Sequence, residues 1–389
     1  MFYRAVNRIL DKYRQNAKMD AERLPKKPKD EEVKLKFSWK PKPILSGEIT
    51  CNLSLEKSFI GVLKSKKDLS KAISCLGPYL PRPQHLKRCS GLRIYLAPIE
   101  RTNGNQQELK DFLNSKGFDL NMLEEDFEIA DVVTVAPKTK SQMTYATQFW
   151  PVNFHPDLTL EAQVSGTMFN EQQLFSLEKC MRLAINAAED SAIGSDECNG
   201  SALILDPQNG KILSIASSSI DKHPMWHAAM LAIDLVAKYQ GGGAWKLVEN
   251  FENLKADDGK RKLELDLPLH YPSSLDTLKF PQNDSLIFMR KDQKKKDEKL
   301  KSIEKHGPYL CTGYWAVLLQ EPCPICAMAL LHSRVTTIFY GVPNPTTGIL
   351  GSNVNLHSVP GLNHRFQVWS SVLQNECSQT LEKCRKFYS

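Results

Sequence analysis

No apolar run in the sequence approaches the ~18 residues that a membrane-spanning helix needs. Nor does the N-terminus carry the apolar core of a signal peptide. The expectation is a soluble chain that is not secreted and has no membrane partner. There is no glycine-rich phosphate loop, and "GGG" at 241–243 reads only as a helix stop. Internal repeats are lacking too, which excludes solenoids and propellers.

Cysteine is not scarce, but pattern among the cysteines is. Of ten, only Cys323 and Cys326 have a telling spacing; the rest are scattered and read as reduced, small, partly buried hydrophobes. With 41% hydrophobic and 24% charged residues, the 389-residue chain is ordinary for a globular protein. Its length favours two domains. A formal charge of +7 permits a nucleic-acid partner without pointing to one.

Residues 1–18 interleave Arg4, Arg8, Lys12, Arg14 and Lys18 with apolar positions, like a mitochondrial transit helix. Asp11 and the absence of serine argue against that reading. Residues 1–45 read as a disordered or extended basic lead-in, rich in charge and proline. Over 46–137, strands such as "KSFIGVL" and "GLRIYLAPI" alternate with helices that stop at Gly77 and Gly117. That alternation predicts a small α/β domain, for which a ferredoxin-like fold is one arrangement. Residues 138–168 read as a linker with a bulky anchor at Trp150 and Phe154.

From 169 to 389 a second domain is predicted. It contains a long amphipathic helix, a hairpin turning at Asn209-Gly210, and a helix from about Met225 to the glycine stop that is apolar on nearly every side. A segment at 246–306 interrupts it, and its lysine-rich tract at 289–305 reads either as a solvated insertion or as an RNA-contacting arm. The core resumes with a strand, the helix of "PICAMALLHSR" and another strand. The stretch "PGLNHRFQVWSSV" predicts an edge strand.

His227 opens one apolar helix, and "PCPIC" opens another 96 residues later. Zinc takes imidazole and thiolates in a tetrahedron, and Cys-x-x-Cys at a helix N-terminus places two thiolates on one ion. His227, Cys323 and Cys326 are therefore candidate Zn2+ ligands, in the H-x-E…P-C-x-x-C order of nucleobase deaminases. The glutamate is missing: Ala229 stands there, with nothing to titrate. Asp234 lies seven positions on, ~10 Å along the helix axis and too far to substitute. No catalytic residue is assigned, and the metal reads as structural. His223, His332 and His357 read as flanking or surface residues, and His364 as hydrogen-bonded packing.

The segments "HAAMLAIDLVA", "YLCTGYWAVLLQEPCPICAMALLHSRVTTIFYGVPNP" and "PGLNHRFQVW" resemble the non-catalytic subunit of the eukaryotic heterodimeric tRNA wobble-adenosine deaminase, in the cytidine deaminase superfamily. "LPRPQHLKRC" and "FWPVNFHPD" resemble its N-terminal region, so the likeness spans most of residues 75–370. That subunit characteristically replaces the glutamate, commonly with valine.

The resemblance implies a cytidine-deaminase-like αβα sandwich around a mixed five-stranded sheet, plus the smaller N-terminal α/β domain. It also implies a catalytic partner chain with an intact H-x-E, a tRNA partner captured partly by the N-terminal domain, and work in nucleus and cytoplasm. Arg82, Lys87, Arg88 and Lys138 are candidate RNA contacts on charge and position alone. Two other functions stay open: a self-sufficient deaminase using another acid, and a structural zinc module in an RNA-binding protein.

Overall fold

The computed structural model describes residues 37–193, 200–247, 267–281 and 309–386. The lead-in at 1–36 and the lysine-rich tract at 289–305 lie outside these residues. Residues Trp39–Ser389 form one compact unit containing two sheets.

The smaller sheet arises from β2 (Leu55–Val62), α1 (Leu69–Leu76), β3 (Cys89–Ser90), β4 (Arg93–Pro98), α2 (Gln106–Ser115) and β5 (Glu128–Val133). Strand order β3-β4-β2-β5, antiparallel throughout, with this β-α-β-β-α-β succession, is a ferredoxin-like arrangement. On α2, Leu109 and Leu113 recur at helical spacing and meet Phe59, Leu76 and Leu96 on one face of the sheet. The opposite face is covered as well: Ile60, Tyr95 and Val132 pack under Ala146, Trp150 and Val152. The Trp150 indole N–H donates to the Lys87 carbonyl at 2.8 Å, which settles its polar edge in the core.

Residues 138–168, expected as a linker, thus contribute α3 (Lys140–Thr147) and Trp150 to this core, with α4 (Leu158–Val164) following. The sequence hides this because Met143, Ala146, Trp150 and Val152 are spread thinly among polar residues.

The larger sheet has order β1-β11-β10-β9-β6-β7-β8. Its centre is five strands: β6 (Ser201–Leu205) and β7 (Ile212–Ser217) form the hairpin, and β9 (Trp315–Gln320), β10 (Thr337–Val342) and β11 (Gln367–Ser370) run parallel. Two short strands extend it. β1 (Lys42–Pro43) pairs with β11, so the strand expected at the edge sits one place inside. β8 (Leu269–Tyr271) pairs with β7 and comes from the interrupting 246–306 segment. Residues 267–281 are thus built into the fold, with Leu269, Tyr271 and Leu275 buried; this apolar patch is too brief to stand out within a polar tract.

Helix α5 (Glu171–Ser191) and α8 (Gln374–Lys386) cover one face; α6 (Ala228–Tyr239) and α7 (Pro324–His332) cover the other. This is an αβα sandwich. A reciprocal cap starts α5: the Gln173 amide donates to Asn170 Oδ1 at 2.8 Å, and the Asn170 amide to Gln173 Oε1 at 2.9 Å. Among the described residues no helix is long and apolar enough to cross a membrane.

Strand β1 is held partly by His357, whose Nε2 donates to the Ile44 carbonyl at 2.8 Å. Burial lowers the His357 pKa below its ordinary 6.5. The unfolded chain therefore takes up this proton first as pH falls. The histidine's contribution to stability is present above about 6.5 and is lost as pH drops from there toward the folded value. The His357→Gln variant should lose part of the difference in melting temperature between pH 7.5 and pH 5.5; an unchanged difference would remove His357 from that account.

Candidate metal centre

Two helix N-termini meet on one face of the larger sheet. His227 is the N-cap of α6 and Cys323 the N-cap of α7, both with extended backbone, and the two helices pack together. Pro324 opens α7, where a missing N–H costs nothing and φ is already helical. One turn on, Cys326 points back to the same place.

The Nδ1 atom of His227 lies 3.4 Å from Cys323 Sγ and 3.5 Å from Cys326 Sγ, and all three atoms fall within 4.8 Å of one another. Around a tetrahedral zinc with ordinary bond lengths, imidazole nitrogen and thiolate sulfur would stand about 3.6 Å apart. The donor set and its spacing therefore fit zinc. Both sulfurs are buried, His227 is half-buried, and the two helix dipoles favour thiolate. Other cysteines have the opposite environment: burial pushes the Cys180, Cys311 and Cys377 thiols up to about 12, so they stay protonated and pack.

Ala229 is buried in the first turn of α6 and brings no polar atom. Among the described residues no carboxylate joins the three-atom group. Asp234, on the same helix as Ala229, and Glu321, two residues before Cys323, are both occupied. Asp234 accepts from the amides of Ala244 and Trp245, closing the chain after α6. Glu321, 2% exposed, accepts from the amides of Asn344 (2.9 Å), Leu350 (2.8 Å) and Ser352 (3.0 Å), and from the Ser352 hydroxyl.

Glu321 is the residue that sequence reasoning missed. A charged side chain between an apolar strand and Pro322 was the available signal, but its partners lie 23–31 residues away. The loop it holds is tight. A Cβ on Gly348 would stand 2.4 Å from Glu321 Cδ and 2.5 Å from the Asn344 carbonyl oxygen. Gly348→Ala should destabilise by about 1–3 kcal/mol, the usual range for overpacking, read as a lowered melting temperature. Unchanged melting would show that the loop yields freely.

The remaining candidates are placed as follows. Arg82 Nη1 donates to the carbonyls of Pro83 (3.1 Å), Gln84 (3.2 Å) and Leu86. Arg88 donates to those of Tyr95 and Leu80. Both guanidinium groups thus brace a loop. Lys87 is exposed, and Lys138 pairs with Glu48. His332 is exposed, His223 stacks on Trp226, and His364 Nε2 donates to the Val335 carbonyl at 2.7 Å. None of these histidines joins the metal group.

No protein-family model matches the chain. A human protein named "Probable inactive tRNA-specific adenosine deaminase-like protein 3" is 30% identical over 351 residues, covering 87% of this chain and 91% of that one. The chain belongs to this tRNA-specific adenosine deaminase-like family. Its zebrafish relative of the same name is 29% identical, with 87% and 94% covered. A Schizosaccharomyces pombe relative, "tRNA-specific adenosine deaminase subunit tad3", is 25% identical, with 74% and 75% covered. The likeness to the human and zebrafish relatives spans the ferredoxin-like part as well as the sandwich.

Proposed function

We propose that this chain is the non-catalytic, zinc-binding and tRNA-positioning subunit of a heterodimeric deaminase that converts adenosine to inosine at the tRNA wobble position. The observation that carries the reading is Ala229 beside a complete ligand triad. In deaminases of this plan a glutamate moves protons to and from the zinc-bound water, the base and the leaving amine. Losing a general acid–base group costs ~10²–10⁴ in rate, and the carboxylates of Asp234 and Glu321 are committed to backbone amides.

His227, Cys323 and Cys326 would hold the zinc. Bound there, zinc would supply a cross-link between α6 and α7 and a Lewis acid without a proton carrier. The names of the relatives, one called inactive and one called a subunit, support a partner chain with an intact H-x-E. The same names support tRNA as substrate of the pair; residues 46–137 would be the domain that helps capture it. A role on tRNA would put the chain to work in nucleus and cytoplasm.

The test is reconstitution. Purified alone, the chain should hold about one zinc and deaminate neither nucleosides nor tRNA; adding the H-x-E chain should restore inosine formation. Robust deamination by the lone chain would sink the reading. Recovery of no H-x-E deaminase in a pull-down from cells would instead favour a zinc module in an RNA-binding protein.

A further inference from the structure

Half-buried aromatic side chains cluster at the start of α6. His223 stacks on Trp226 with ring centres 5.9 Å apart, and Trp245 closes on both, at 6.2 Å from His223 and 6.3 Å from Trp226. Tyr271 of β8 meets Trp226 edge-on at 5.4 Å. Three separate devices bring these rings together. The turn before His227 presents His223 and Trp226. The Asp234 carboxylate grips the amides of Ala244 and Trp245 after the glycine stop. The interrupting segment supplies Tyr271 through β8.

Core packing accounts for only part of this arrangement: Tyr271 belongs to the core, and Trp226 and Trp245 pack against it from outside. Trp226 and Trp245 remain partly exposed, and the Trp226 indole nitrogen has no partner among the described residues. One cation stands beside the rings. Lys222 Nζ lies 5.4 Å from the Tyr271 ring centre and 3.4 Å from its hydroxyl. Between Ser219 and Leu247 the charged residues are Lys222, Lys238 and Lys246 against Asp221 and the committed Asp234.

We infer that this cluster is a stacking site for a base of single-stranded RNA, with the lysines facing the adjoining phosphates. The inference rests on the tRNA reading and adds a site to it, next to the Glu-less metal centre. Partly exposed aromatic faces interleaved with cations suit unpaired nucleotides, whose bases can be splayed out. Tryptophan and tyrosine are also enriched at protein interfaces; the lysine beside the rings is what favours an anionic, base-bearing ligand here.

The experiment uses the full chain and a heptamer of adenosine ribonucleotides, followed by tryptophan quenching. Binding should quench the emission. Trp245→Ala should weaken binding about 5- to 150-fold, the range for one stacked base. Trp245→Phe should stay within a few-fold of wild type, and Lys222→Gln should flatten the salt dependence. Equal affinity in a Trp245→Ala protein that melts like wild type would overturn the site. So would lost assembly with the H-x-E chain while heptamer binding is untouched, which would mark the patch as a protein interface. Heptamer binding absent but tRNA binding intact would remove this site and leave the tRNA role standing. If tRNA also fails to bind, with or without the H-x-E chain, both readings fall.

Discussion

Cys326→Ser should strip the zinc from the purified chain and lower its melting temperature by about 6–12 °C. Cys326 is 1% exposed and, with Cys323 and His227, joins the N-termini of two helices that are otherwise linked only by packing. A serine hydroxyl does not replace a thiolate on zinc, and two remaining ligands hold the ion poorly. Structural zinc contributes about 10–16 kcal/mol in isolated zinc-finger peptides. A larger fold with its own core shows only part of that, and about 3 kcal/mol is a fair minimum. At roughly 2–4 °C per kcal/mol for domains of 150–250 residues, that gives the shift stated.

Two controls sharpen this result. A chelator should lower the melting temperature of the wild type and leave the variant where it is. Acidification should act like the chelator, because thiolate and neutral imidazole bind metal only when deprotonated. Elemental analysis and calorimetry read both. Wild-type melting and wild-type yield of the complex from a Cys326→Ser chain would refute a structural metal.

Much of the site was legible from residue order, because its chemistry is local. His227, Ala229 and the Cys323–Cys326 pair each open a helix, and helix starts with metal-ligand spacing can be read from a single sequence. The five central strands were legible for a related reason: they are apolar runs bounded by turns. Partners set by distance were hidden. Nothing in "LQEPCPIC" says that Glu321 is fastened by amides from 344 to 352. Nothing in the polar stretch after Lys138 says that Trp150 lies under Tyr95. Arg82 and Arg88 were candidate RNA contacts on charge and position alone; what the sequence did not show is that both guanidinium groups also donate to backbone carbonyls. Likewise Leu269 and Tyr271 needed an open edge on β7 before a three-residue strand could form.

Glu321→Gln should prove at least as damaging as loss of a metal ligand, although the side chain joins no metal group. In the native chain one carboxylate oxygen accepts from the amides of Leu350 and Ser352, and the other from the Asn344 amide and the Ser352 hydroxyl. Every partner is a donor. Glutamine keeps the shape but turns one oxygen into an NH2 group, which on either side then faces at least one backbone amide that can only donate. Each buried group left unpaired costs about 1–3 kcal/mol, so the total should reach about 3–5 kcal/mol, the range for breaking a buried charged network. A fall in melting temperature of roughly 6–20 °C follows.

The metal centre should also weaken. The loop held by Glu321 reaches Pro322, whose carbonyl accepts from the Ile349 amide at 3.4 Å, and Pro322 sets the approach to Cys323. Loss of an outer support of this kind typically costs 10- to 100-fold in metal affinity, measurable by chelator competition. A Ser352→Ala partner mutation should then add little on the Glu321→Gln background, since the two share one network. A Glu321→Gln protein with wild-type melting and metal affinity would show that the carboxylate does not hold the loop or support the metal centre.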